Sequence, residues 1–107
     1  HGFWFLHASM IFCYILYSPS LNRFYIGATQ DGIEQRLIKH NQHQYGNNHY
    51  TAQTSDWHVF LTIQCTDYAQ ATKIERHIKK MKSSVYISNL KRYPEISEKL
   101  IEKYKSI

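Results

Sequence analysis

The chain has 107 residues, 43% of them hydrophobic and 20% charged, with 13 basic side chains against 8 acidic ones and a net charge of +5. That length sets a single domain as the expectation, and that apolar share excludes a disordered segment. The basic balance favours a polyanionic partner, nucleic acid or anionic lipid, and two cysteines without a CxxC argue against a disulfide framework or a redox pair.

The first residues, His1 to Ser9, run into Met10-Ile11-Phe12 as an apolar stretch. His7 interrupts it, no basic region leads it, and a membrane span needs about 20 apolar residues. No membrane segment is therefore expected. Met10 directly precedes the first predicted strand, which sets residues 10–107 as the domain and residues 1–9 as a leader or an appended segment, with an extra edge strand as the alternative.

Ile11 to Tyr17 is rich in β-branched and aromatic residues and reads as a strand. Ser18-Pro19-Ser20-Leu21-Asn22 is a turn, where proline presets a backbone dihedral and serine and asparagine cap it. Arg23 to Gly27 is the returning strand, closed by a glycine where the chain is expected to bend. Alternation puts Tyr14 on the face opposite Cys13 and Ile15, and Tyr25 opposite Phe24 and Ile26. Two phenols are thereby expected near each other on neighbouring strands.

Asp31 is the expected N-cap of a helix over Ile33–Gln42. Ile33 and Leu37 form its apolar stripe, and Arg36, His40 and His43 recur at i, i+4, i+7 on one side. Gln44 to Thr54 is a long polar loop that carries His49 and Tyr50, and loops of that length in compact domains tend to be functional. Asp56 to Cys65 is nearly continuously apolar, which predicts a central strand covered on both faces. Thr66-Asp67 caps a helix over about Tyr68 to Met81, with Ala71, Ile74, Ile78 and Met81 as its buried stripe and Lys79, Lys80 and Lys82 near its negative end. A short helix over Val85–Leu90 follows. Pro94 then starts a last helix, with Ile96, Leu100, Ile101 and Tyr104 on one face. The resulting fold is α+β: a small three-stranded antiparallel-type sheet flanked by helices, in the order β-β-α-β-α-α. Cys13 and Cys65 fall in strands and read as buried, reduced thiols of a cytoplasmic protein.

Tyr25-Ile26-Gly27 is a literal YIG, and Tyr14 stands where the tyrosine of a preceding GIY would be, with Phe12-Cys13-Tyr14 in place of Gly-Ile-Tyr. With Arg36 and His40 one turn apart in the next helix and Glu75 in a later one, the chain resembles a GIY-YIG nuclease domain. It is similar to the small stand-alone kind and to the catalytic end of the bacterial DNA-repair excinuclease. The resemblance implies a metal-dependent DNA endonuclease. Tyr14, Tyr25, Arg36 and His40 are the catalytic set it implies, Glu75 the ligand of a single Mg²⁺ or Mn²⁺, and His49, Tyr50 and Lys79 the further substrate contacts. It also implies DNA as partner, with either structure-selective or weakly selective cleavage by the domain itself or a second protein that supplies specificity.

Each role has a physical basis. Mg²⁺ keeps several waters and takes one or two protein carboxylates, so Glu75 could be its only protein ligand. Arginine offers a phosphate a fork that lysine cannot. A free phenol has a pKa of about 10, too high for a base at neutral pH, so Arg36 and the metal are expected to lower it, with Tyr14 favoured as the base and His40 taking or holding its proton. Taken singly, each residue also has an ordinary explanation: half-buried strand packing for the tyrosines, a solvated helix arginine, an i, i+4 pair of Glu75 with Lys79. Two other functions compete with the nuclease. One is a non-catalytic nucleic-acid-binding module on the same fold. The other is a zinc domain built from His40, His43, His49 and His58, whose spacing fits no standard finger.

Overall fold

In the computed structural model, residues 10–46 and 50–106 are described. The elements are β1 (Phe12–Ser18), β2 (Arg23–Thr29), α1 (Ile33–Asn41), a 3₁₀ turn at Tyr50–Gln53, β3 (His58–Gln64), α2 (Tyr68–Met81), α3 (Ser84–Arg92) and α4 (Pro94–Lys103). The three strands form one antiparallel sheet in the order β2-β1-β3. This is the predicted α+β arrangement, with the short helix after Ser83 developed into a full nine-residue element.

The central strand is β1, not β3. Residues 13 to 16 are buried on both of its faces, whereas β3 lies at the edge with only Ile63 buried and Val59 37% exposed. An apolar run marks residues able to be covered, but the sheet order decides which strand is hydrogen-bonded on both sides.

Alternation along β1 divides the molecule. Cys13 and Ile15 face one core with Ile63, Cys65, Ala71, Ile74, Ile78, Ile87, Leu90 and Leu100, sealed by α2, α3 and α4. Tyr14 and Leu16 face a smaller cluster with Trp57, flanked by Tyr25, Ile33 and Leu37 on the α1 side. Both cysteines are buried free thiols, and burial pushes each up in pKa.

The helix ends are set locally, with two departures from expectation. Asp67 caps α2 by accepting from the Gln70 N–H at 2.7 Å, and Ser83 caps α3 by accepting from the Tyr86 N–H at 3.0 Å. α1, however, starts at Gly32, with no side-chain cap. Gly32 has φ +90° and gives its N–H to the Met10 carbonyl at 3.2 Å, a conformation that favours glycine. Asp31 instead stands exposed, 3.8 Å from Arg36. In α2 the stripe Ala71, Ile74 and Ile78 is buried, but Met81 at the end of the helix is 45% exposed, because it faces an open recess shared with Lys103 and Tyr104. Among the described residues no helix is long and apolar enough to cross a membrane. The segment 1–9 and His49 lie outside the described residues.

Candidate active site

Gly27 explains how two strands can present phenols on one face. It pairs directly with Tyr14 inside β2, and a Cβ added there would lie 2.6 Å from Cζ and the hydroxyl of Tyr14. The glycine of the YIG triplet is therefore not a bend. Its missing side chain is the space across which the Tyr14 ring lies. Leu16 is the residue opposite Tyr25, so the two tyrosines meet diagonally, with ring centroids 6.3 Å apart.

The helix α1 brings His40 onto this pair. Its ring centroid is 4.6 Å from that of Tyr25, and its Nε2 is 3.0 Å from the Tyr14 hydroxyl. His40 is 1% exposed and its Nδ1 lies 2.7 Å from the Thr51 hydroxyl. In the neutral ring, an Nδ1–H given to Thr51 leaves Nε2 to accept the Tyr14 proton. Thr51 is itself fixed by its surroundings: its carbonyl accepts the Trp57 indole N–H at 2.9 Å, and Asn41 clamps the Trp57 backbone through both its N–H and its carbonyl. The expected long loop thus contains a 3₁₀ turn that reaches back into the site.

One turn earlier, Arg36 gives its Nε–H to the Thr29 hydroxyl at 3.1 Å and an Nη1–H to the Tyr45 hydroxyl at 2.6 Å. Burial works against its charge, but the Tyr45 hydrogen bond and the nearby Tyr45, Tyr14 and Asp31 more than offset it. The Tyr45 ring also lies 4.7 Å from that of His40. Tyr50 stacks near Tyr25 at 6.3 Å and stands at the rim, 39% exposed.

Glu75 comes from α2, across the β2 edge. Its carboxylate is close enough to Tyr14 and Tyr25 to raise both phenol pKa values, and it is bonded to Lys79 at 2.5 Å with its side chain 20% exposed. The expectation that cations lower the phenol pKa is corrected here. Arg36 does push Tyr14 down, but burial pushes it up by more, and Tyr25, Tyr45 and Glu75 add to the rise. Tyr25 is raised for the same first reason, then by Glu75 and Tyr45.

Of the residues singled out in the sequence, Tyr14, Tyr25, Arg36 and His40 lie together. Glu75 reaches them electrostatically, Tyr50 sits at the rim, and Lys79 is tied to Glu75. His43 does not continue the Arg36–His40 row. It has left the helix with φ +57°, and its Nε2 lies 2.9 Å from the Thr54 carbonyl. Three polar residues of the site, Thr29, Tyr45 and Thr51, are not singled out by the sequence. Thr29 was within reach of the period-2 pattern, which puts residues 25, 27 and 29 on one face. Tyr45 and Thr51 are placed by chain reversals that leave no periodic signal.

Could this donor set hold a hard cation? Among the described residues no three His, Cys, Asp or Glu side chains converge. The oxygen donors of the site are the Glu75 carboxylate, whose charge reaches both phenols, and the hydroxyls of Tyr14, Tyr25 and Tyr45, a set that suits an ion retaining most of its waters. Glu75 would then exchange the Lys79 ammonium for the metal.

These elements define a small α+β domain whose α1-side sheet face joins two phenols, a buried imidazole and a guanidinium, with a carboxylate at its edge. A family model described as the GIY-YIG catalytic domain matches residues 10–91, and the chain belongs to that family. The family is one of nucleases, generally endonucleases, and such a domain implies DNA as substrate. The match is to the family as a whole and singles out no branch of it. No curated protein and no solved structure matches the chain significantly.

Proposed function

We propose that the domain is a divalent-metal-dependent endonuclease that hydrolyses a DNA phosphodiester with a water activated by Tyr14. The observation that carries this reading is the buried Tyr14–His40 hydrogen bond at 3.0 Å, set beside a guanidinium and within the field of Glu75. Since burial keeps Tyr14 protonated, the phenol is no standing phenolate. It acts as a relay: it passes its proton to His40 Nε2 while it takes one from the attacking water. In this reading Thr51 accepts the Nδ1–H of His40, and Nε2 takes the Tyr14 proton.

Arg36 supplies the phosphate fork, already aimed by its bond to Thr29. The Tyr45 hydroxyl occupies one arm of that fork, and a phosphate oxygen takes its place. Tyr25 orients the water or the phosphate. A divalent cation held by Glu75 would supply charge stabilisation at the phosphate and the leaving oxygen. In the balanced reaction the water oxygen bonds to phosphorus, one P–O bond breaks, and the departing alkoxide takes a proton from solvent. The same reading takes residues 10–107 as the functional domain, Tyr50 and Lys79 as further substrate contacts, and a protein partner as the source of target choice. His49 keeps that substrate role as an expectation from the sequence.

Incubation with single-stranded, duplex and branched DNA in Mg²⁺ or Mn²⁺ tests the proposal. Wild type should cleave, while Glu75→Ala and Tyr14→Phe should not; cleavage at equal rates by wild type and Glu75→Ala would refute it. A second reading, a nucleic-acid-binding module without catalysis, is favoured by the ion pair that Lys79 makes with Glu75. It predicts salt-sensitive binding with no turnover in either metal.

A further inference from the structure

A second feature of α2 lies outside the site described so far. Lys73, Arg76 and Lys80 recur at i, i+3, i+7 and share the flank of the helix turned away from Glu75. With Lys103 of α4 they line a cleft of about 410 Å³, whose wall includes His77 and Tyr104. His77 Nδ1 and the Tyr104 hydroxyl are 2.8 Å apart, which joins the two helices at that wall. None of the four cations forms an ion pair among the described residues, where the ion pairs are Arg36–Asp31, Lys79–Glu75 and Lys105–Glu102. Asp67 feels the charge of Lys73 but is engaged as the cap of α2. Four cations along one recess, none of them in an ion pair among the described residues, concentrate positive potential, and His77 registers it. Burial first, then Lys103 and Lys80, hold its pKa below the ordinary histidine value.

We propose that this α2–α4 cleft is a second phosphate-backbone site, which grips DNA away from the scissile bond. The choice of DNA as the polyanion rests on the nuclease reading above; the cleft itself rests on its own geometry. A recess suits a strand better than a bilayer, which is met by a projecting apolar face. Cations spread along the recess suit successive phosphates better than a single phosphoryl group. The cleft and the catalytic face share the rigid helix α2, with its buried stripe Ala71, Ile74 and Ile78 between them. DNA held in both places is thus fixed in register with Glu75. For a domain this small, the second grip adds affinity that the catalytic face alone does not offer.

The test is a fluorescence-anisotropy titration of the full chain with a labelled duplex, over a series of KCl concentrations and without divalent metal. Arg76→Gln with Lys103→Gln removes two cleft charges, and Arg23→Gln with Arg92→Gln removes two exposed charges outside the cleft. The cleft pair should reduce the slope of log Kd against log salt by about 2 and weaken binding about tenfold or more at 0.1 M salt, while the control pair leaves the slope unchanged. Equal slopes for wild type and the cleft pair, or an equal loss in both pairs, would overturn the proposal. Should the cleft pair melt below wild type, Lys73→Gln with Lys80→Gln takes its place in the comparison. Phosphatidylserine vesicles that retain wild type but not the cleft pair, with DNA slopes unchanged, would make the cleft a lipid surface and overturn the DNA assignment. Cleft-dependent binding without cleavage would sink the nuclease reading and leave the cleft standing; cleavage with cleft-independent binding would do the reverse.

Discussion

The two faces of β1 are built from neighbouring residues and obey different rules. On the α2–α4 face, Cys13 and Ile15 meet Ile63, Ala71, Ile74 and Ile78, an aliphatic layer set by shape, with buried Gln70 at its border giving an N–H to the Ile101 carbonyl. On the α1 face, Tyr14 meets His40, and behind His40 stands Thr51, each polar atom answered by another. Among the described residues no buried side-chain nitrogen or oxygen lacks a partner. The first face can be repacked by volume. The second is a network, in which the loss of one member strands the next. A single strand thus serves as core and as site because its period of 2 sends successive side chains to opposite faces.

The contrast can be broken from either side. The largest loss of stability is expected from Ile74→Ala, which opens a cavity in the aliphatic layer and should cost about 2–5 kcal/mol in urea melts. Arg36→Lys should do the opposite. Half-buried and bound through Thr29 and Tyr45, it should change stability by about 1 kcal/mol or less. Its loss as a phosphate fork should lower kcat about 10²-fold to 10³-fold, read in single-turnover DNA cleavage.

Gly27→Ala probes the seam between the faces. The added methyl meets the Tyr14 ring and hydroxyl, so we expect about 1–3 kcal/mol of destabilisation and a displaced Tyr14–His40 bond. If Gly27→Ala melts like wild type and retains full cleavage, the close approach is not needed.

The smallest effect concerns the turn end of the sheet. Asp56 accepts from the hydroxyl of buried Ser18, from the Thr54 hydroxyl and from the Ser20 N–H, and the Ser18 bond is the first cause holding its pKa well below the usual carboxylate range. A depressed carboxylate adds stability above its unfolded pKa, about 3.9, and loses it as pH falls through the folded value. Wild type should therefore lose more stability than Asp56→Asn between pH 5 and pH 2. Parallel curves for the two would remove Asp56 from the acid response.

Elements whose signals are local in the chain were legible from the residues unaided. Asp67 before an apolar stripe marks the start of α2, and Pro94 marks the start of α4. Alternation set the faces of Tyr14 and Tyr25, and the YIG triplet with Arg36, His40 and Glu75 pointed to the family that residues 10–91 match. Whatever depends on residues distant in the chain had to wait for the fold. The apolar run of β3 could not reveal that β1 takes the centre, because sheet order is a matter of pairing rather than composition. The purpose of Gly27 emerges only once Tyr14 lies across it from another strand. Tyr45 and Thr51 reach Arg36 and His40 through chain reversals that carry no period, and the phenol pKa values rise because burial, a property of the folded whole, outweighs the guanidinium beside them.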